Sequence, residues 1–258
     1  MSLNAIWSEG RAALNGWLSI PDGFASEVMA HQGWDTLTID MQHGVVDYAD
    51  AVRMLTAIST TRVVPIVRVP WLDPGIVMKV LDAGALGVIC PMINSPADAE
   101  IFVSALHYAP RGRRSFGPIR ATLAHGADYA KRAGDLVTGF AMIETRAALD
   151  ALDAILAVPG LDAIYVGPAD LALSLGAEPR FDPVDPVVTG PIDHVLARAR
   201  HHGKRAGIHT GSAAYARAMV EKGFDFVTIG SDARFMAAGA ARAVADFRNV
   251  NGDLKGAY

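Results

Sequence analysis

Apolar residues along the chain gather in short, dense runs, and between the runs they recur every three or four positions. Dense runs read as strands covered on both faces, and the spaced pattern reads as amphipathic helix. The runs predict strands at residues 16–20, 36–40, 63–69, 87–91, 139–144, 163–167, 205–209 and 226–230. The spaced stretches predict helices over 45–59, 74–83, 96–107, 146–157, 191–202 and 212–222. Asp73-Pro74 and Ser95-Pro96 put a capping side chain before a proline at the first helical turn. Gly84, Gly203 and Gly223 stand where helices should end. Eight strands alternating with helices predict one α/β domain over residues 1–258, a (β/α)8 TIM barrel rather than an open doubly wound sheet. Two long connections, 110–134 and 176–190, are places for a lid or a subunit contact.

Composition narrows the function classes. The 258 residues are 51% hydrophobic and 19% charged, enough to build the core of one barrel. Net charge is −4 with Lys and Arg dispersed, which argues against a nucleic-acid-binding stripe. One local cluster, Arg111-Gly-Arg-Arg114, suits a small anion, a neighbouring subunit or a solvated loop. The single cysteine, Cys90, rules out an intrachain disulfide and a thiolate metal cluster, and its apolar flanks predict a buried, inert thiol. No signal-peptide pattern opens the sequence and no apolar run is long enough to span a membrane, so a cytoplasmic protein is expected.

The chemistry gathers at strand ends. The second predicted strand ends in Asp40-Met-Gln-His43, the third in Arg68, the fifth in Glu144, the sixth in Gly-Pro-Ala-Asp170 and the seventh in His209. In a barrel these ends share one rim around one cavity. Glu144 and Asp170, from consecutive strands, are expected to share a divalent cation, because hard cations prefer oxygen ligands. A 2-oxo acid chelated to that cation gains acidity at the carbon beside its ketone. Arg68 would steady the developing enolate oxygen. His43 would move a proton, oriented by Asp40 or Asp82. The amides of Gly167, Ala169 and Asp170 could hold the substrate carboxylate, and Trp17 could wall the pocket. No serine elbow, Walker loop or dinucleotide fingerprint competes.

Each residue also has a plainer role open to it. Glu144 could cap the helix starting near Arg146, Asp170 could cap the following helix, and Arg68 could be an ion-pair partner. His43 could be a loop histidine and Asp82 an exposed helix end. Four such groups falling on one rim by accident is less probable than one, which favours the site. The other histidines, His31, His107, His125, His194, His201 and His202, read as surface or packing residues.

At these residues the chain resembles the HpcH/HpaI aldolase family, the class II pyruvate-type aldolases, over nearly its whole length. The segments that carry the resemblance are Asp40-Met-Gln-His43, Lys79-Val-Leu-Asp-Ala-Gly84, Pro91-Met92, Met142-Ile-Glu-Thr145 and Gly167-Pro-Ala-Asp-Leu171. The resemblance implies a barrel of the phosphoenolpyruvate/pyruvate type with a final helix that can swap between subunits of a homohexamer. It implies Mg²⁺, Mn²⁺ or Co²⁺ at Glu144 and Asp170, the enolate-stabilising arginine at Arg68, and an acid–base dyad of His43 with Asp82, or with Asp40 in reserve. The implied reaction is reversible cleavage of 4-hydroxy-2-oxo acids to pyruvate or hydroxypyruvate plus an aldehyde. A CoA-ester lyase and a non-catalytic metabolite-binding barrel are the competing readings. Two positions depart from the family pattern: Met142, where glutamine is frequent, and His209, where an apolar residue is usual. A polar His209 near the donor's methyl group would accept a donor with an extra hydroxyl, such as hydroxypyruvate. The Asp-Met-Gln-His variant itself resembles a hydroxyketoacid aldolase branch.

Overall fold

The computed structural model describes residues 2–254. Its eight strands are β1 (Ala13–Leu18), β2 (Thr36–Asp40), β3 (Val64–Arg68), β4 (Gly87–Cys90), β5 (Thr138–Ile143), β6 (Ala163–Val166), β7 (Arg205–Thr210) and β8 (Phe226–Ile229). Each pairs in parallel with the next, and β8 returns to β1, so the sheet closes into the expected barrel. Side chains alternate along a strand, which sorts every strand into two sets. One set, including Leu37, Ile39, Val67, Val88, Ile143, Ile164, Val166 and Ile208, packs outward beneath the helices. The other, including Trp17, Ile66, Ile89, Phe140, Met142, Tyr165 and Phe226, fills the barrel.

The interior is packed with rings. Phe140 and Phe226 lie 4.9 Å apart by ring centroid, and Tyr165 lies 5.9 Å from Phe226. Gly207 is what admits Tyr165 here: a Cβ on it would stand 2.7 Å from Tyr165 Cδ2. Above the rings, a polar layer of Asn15, Thr36, Thr38 and Thr228 is fully buried and mutually hydrogen-bonded. This layer explains why β1 starts three residues earlier than its apolar run: Asn15 points inward and finds polar partners there.

The expected caps form. Asp73 Oδ1 accepts from the Gly75 amide and Ser95 Oγ from the Asp98 amide, each with proline at the first turn. Gly84, Gly203 and Gly223 take left-handed φ at helix ends. The connection at 110–134 is not the single loop expected: it contains the helix Ile119–His125 and leads into Tyr129–Leu136. Ile119 and Leu123 are 82% and 84% exposed, so the first of these helices has no core-facing stripe to betray it. The helix expected at 146–157 breaks at Ala151 into Arg146–Asp150 and Leu152–Leu156. The helix expected from 191 begins at Pro186, capped by Asp185. Cys90 is fully buried, and burial pushes its thiol pKa up, so it is the inert thiol expected.

The last helix, Asp232–Leu254, leaves the barrel. Both oxygens of Asp232 accept backbone amides after β1, from Ser19 at 2.9 Å and Ile20 at 3.1 Å, which pins its start. From Ala233 to Arg248 every side chain is exposed, Phe235, Met236 and Phe247 among them. No helix among the described residues is long and apolar enough to cross a membrane.

Candidate active site

The inward-facing phase of each strand, followed to its C-terminal end, delivers the site. On β2 the series Thr36, Thr38 ends in Asp40, and on β3 the series Val64, Ile66 ends in Arg68. On β5 Phe140 and Met142 lead to Glu144, on β6 Tyr165 leads to Gly167, and β7 contributes His209. At these ends lies a cavity of about 280 Å³ whose lining includes Trp17, Asp40, His43, Arg68, Asp170, Phe181, His209 and Arg234; Glu144 is not part of that lining.

Asp40 and Arg68 are register partners on adjacent strands. Arg68 donates from Nε to Oδ1 at 2.9 Å and from Nη2 to Oδ2 at 2.7 Å, a two-pronged ion pair with both residues buried. Trp17 Nε1 donates to Oδ2 at 3.1 Å, and its ring lies 4.7 Å from the guanidinium carbon. Burial alone would push the Asp40 carboxyl up, but the Arg68 hydrogen bonds and charge outweigh it and hold the group below the usual carboxylate range. Asp40 Oδ1 also accepts the backbone amides of Gln42 and His43, at 3.0 and 3.2 Å.

Glu144 follows β5 and is 2% exposed. It does not cap the next helix; Thr145 does, accepting from the Ala148 amide. Glu144 Oε1 instead accepts the Met92 amide at 2.8 Å, and among the described residues no cationic side chain bonds to it. Burial, reinforced by the charge of Asp170, raises its pKa to about 7, against the opposing pull of the Met92 amide and of Arg68. Asp170 lies in the first turn of the helix Pro168–Ser174, which has no side-chain cap. Gly167 leaves room for the carboxylate: a Cβ there would stand 2.6 Å from Glu144 Oε2 and 3.0 Å from Met142 Cε, so those side-chain ends would have to shift.

These two carboxylates fit a divalent cation. A buried, anion-crowded carboxylate without a cationic partner gains most from one. Among the described residues no cluster of three or more His, Cys, Asp or Glu exists, so two protein oxygen donors would leave the remaining positions to water and substrate.

Within this chain neither expected carboxylate hydrogen-bonds the His43 ring. Asp40 reaches only the His43 backbone and is otherwise committed to Arg68 and Trp17. Asp82 accepts Arg114 Nη2 at 2.7 Å and does not line the cavity. Arg114 is buried, bonded to Tyr129 Oη at 3.2 Å and stacked 4.5 Å from the Tyr108 ring. The arginine cluster therefore contributes one buried structural cation. His43 itself stands exposed on the cavity rim.

His209 sits between Trp17, 4.8 Å away edge-on, and Phe181, 5.1 Å away. Its Nδ1 meets Tyr165 Oη at 3.1 Å. Burial, aided by Arg68 and Arg234, lowers its pKa to about 3, so the ring is neutral at ordinary pH. Tyr165, Phe181 and Arg234 were not among the expected residues. The inward phase of β6 could have revealed Tyr165; Phe181 comes from an irregular connection and Arg234 from the final helix, where no periodicity marks them.

Residues 17–238 match the family described as HpcH/HpaI aldolase/citrate lyase. A hydroxypyruvate/pyruvate aldolase of Rhizorhabdus wittichii is 47% identical over 94% of this chain and 96% of its own. A 4-hydroxy-2-oxo-heptane-1,7-dioate aldolase of Salmonella dublin is 32% identical over 94% of each. The crystal structure of a HpcH/HpaI aldolase/citrate lyase family protein from Burkholderia cenocepacia J2315 superposes with a TM-score of 0.85 at 33% identity, covering 92% of this chain and 95% of that one.

Proposed function

We propose that this chain, which belongs to the HpcH/HpaI aldolase/citrate lyase family, is a divalent-metal-dependent aldolase. It reversibly cleaves 4-hydroxy-2-oxo acids to hydroxypyruvate or pyruvate plus an aldehyde. The observation that carries the reading is Glu144: buried, and raised in pKa by that burial and by the charge of Asp170, which lines the same cavity as Arg68.

A Mg²⁺, Mn²⁺ or Co²⁺ ion held by Glu144 and Asp170 would polarise the substrate ketone as a Lewis acid. His43 takes the proton from the C4 hydroxyl. The C3–C4 bond then breaks, its electron pair passes to the C2–C3 enolate, and the aldehyde departs. Arg68 steadies the enolate oxygen, and Asp40 holds the guanidinium in place for it. Protonation at C3 releases the 2-oxo acid. The amide of Ala169, on the cavity wall, and Gly167 beside it are assigned to the substrate carboxylate. Trp17 walls the donor end. A hexamer in which the final helix packs on a neighbouring subunit is supported by the exposed apolar side chains of that helix.

The test is proton–deuterium exchange at C3 of pyruvate and hydroxypyruvate, followed by NMR without any aldehyde. Exchange should stop with EDTA and return with Mg²⁺ or Mn²⁺. Exchange indifferent to EDTA would remove the metal assignment, and no exchange with either donor would remove the aldolase reading.

A further inference from the structure

A line of buried polar groups crosses the barrel from β2 to the cavity. Thr36 and Thr38 hydroxyls donate to Asn15 Oδ1 at 2.7 and 3.0 Å. Asn15 Nδ2 donates to Thr228 Oγ1 at 2.9 Å. Thr228 Oγ1 meets Tyr165 Oη at 2.7 Å, and Tyr165 Oη meets His209 Nδ1 at 3.1 Å. Asn15, Thr36, Thr38, Thr228 and Tyr165 are all fully buried, so water cannot substitute for a missing partner.

Such a chain has a direction. Either hydroxyl of the Thr228–Tyr165 pair can donate; with the Asn15 amide already donating to Thr228 Oγ1, the direction that gives the Thr228 hydrogen an acceptor among the described residues runs to Tyr165 Oη. The Tyr165 hydrogen then has one acceptor left, His209 Nδ1. An imidazole that accepts at Nδ1 and is neutral carries its proton on Nε2. His209 lines the cavity, and Nε2 has no hydrogen-bond partner among the described residues.

We propose that the Asn15–Thr228–Tyr165 relay fixes His209 as its Nε2–H tautomer, and that this N–H is the donor that selects 2-oxo acids bearing an oxygen on C3. Trp17 and Phe181, flanking the ring, form the apolar walls that would suit a bare methyl group; the imidazole N–H adds one polar atom among them. A neutral ring suits this task, since it keeps a fixed donor without placing a second cation beside Arg68. Tyr165, Thr228 and Asn15 act through His209 and are positioning residues. The substrate part of the inference rests on the aldolase reading; the tautomer part does not.

Two measurements on the full-length protein test it. The first is long-range ¹H–¹⁵N NMR of the histidine rings, with His209 assigned by its loss in His209→Gln. The expected spectrum has a protonated Nε2 and a bare, hydrogen-bonded Nδ1. In Tyr165→Phe, which keeps the ring stack but removes the hydroxyl, the Nδ1 resonance should move downfield as its lone pair loses a donor. A protonated Nδ1 in the unaltered protein would mean that the chain runs from His209 to Asn15, and would overturn the proposal. An unmoved resonance in Tyr165→Phe would remove the relay. The second is the ratio of kcat/KM for hydroxypyruvate over pyruvate. It should fall about tenfold in His209→Phe, the size of one net hydrogen bond, and be retained in His209→Gln, which keeps an N–H donor. An unchanged ratio in His209→Phe would overturn the selectivity role. If the unaltered enzyme shows no C3 exchange at all, the aldolase reading fails and takes the substrate assignment with it, whatever the tautomer.

Discussion

Asp40 and Arg68 face each other across the β2–β3 ladder as register partners, joined by two hydrogen bonds of 2.9 and 2.7 Å. The pair is buried, and the guanidinium is further held against Trp17. Its geometry is therefore set before substrate arrives, as stabilisation of a developing oxyanion requires.

Arg68→Lys separates that geometry from the charge. Lysine keeps the cation but cannot reproduce the two parallel bonds. C3 exchange on pyruvate should drop about 100-fold, the order seen when one oxyanion donor is lost, with the far-UV circular dichroism unchanged. Exchange at the unaltered rate would show that any cation at this position suffices.

Glu144 predicts a pH dependence of stability in the metal-stripped protein. Its pKa is raised from 4.5 to about 7, chiefly by burial. Below the unfolded value the group is protonated in both states and carries no penalty. As pH rises towards 7 the unfolded chain releases a proton that the folded one retains, so stability falls. Above the folded value the penalty is complete, roughly 3 kcal/mol. Urea unfolding in EDTA should show stability lost between pH 5 and 8 in the native protein but not in Glu144→Gln, and excess Mn²⁺ should restore it. Parallel pH profiles for the two proteins would contradict the buried, unpartnered carboxylate.

The fold was legible because the barrel strands are dense apolar runs with turn chemistry between them. The residues proposed for the site could be picked out because inward phase and strand end coincide at Asp40, Arg68, Glu144 and His209. What escaped the sequence did so for physical reasons. Asn15 hides in a strand because its polarity is satisfied only by Thr36, Thr38 and Thr228, which lie far away along the chain. The helix Ile119–His125 hides because its large apolar side chains, Ile119 and Leu123, face outward and only Ala121 is buried. Asp82 was placed with His43 by family pattern, whereas tertiary packing gives it to Arg114, a partner that no spacing rule indicates.

Gly167→Ala tests how closely the carboxylate site is built. The new methyl would lie 2.6 Å from Glu144 Oε2 and 3.0 Å from Met142 Cε. Met142 can turn aside, but the carboxylate must swing out of its place beside Met92. Divalent-cation affinity, read by isothermal titration with Mn²⁺, should weaken by about 10- to 100-fold, as when a ligand's supporting contacts are lost. Affinity within twofold of the native protein would mean that Glu144 is not held where the structure places it.

Asp82→Ala distinguishes the ion pair from a catalytic dyad. Arg114 is buried with a side chain that is 0% exposed, and Asp82 is its one carboxylate partner among the described residues. Tyr129 Oη can still accept from Nη1, and the Tyr108 ring still stacks on the guanidinium, so the cation is not wholly abandoned. Asp82 is 27% exposed, so solvent reaches the gap and the loss should fall below the 3–5 kcal/mol typical of a broken buried pair, at about 2 kcal/mol. Arg114→Met, which removes the buried charge as well, should recover part of that loss in the double variant. Turnover should be retained in Asp82→Ala, because the structure puts no contact between the Asp82 carboxylate and the His43 ring. A kcat lost in Asp82→Ala with stability unchanged would return Asp82 to the dyad and require that the carboxylate leave Arg114 during turnover.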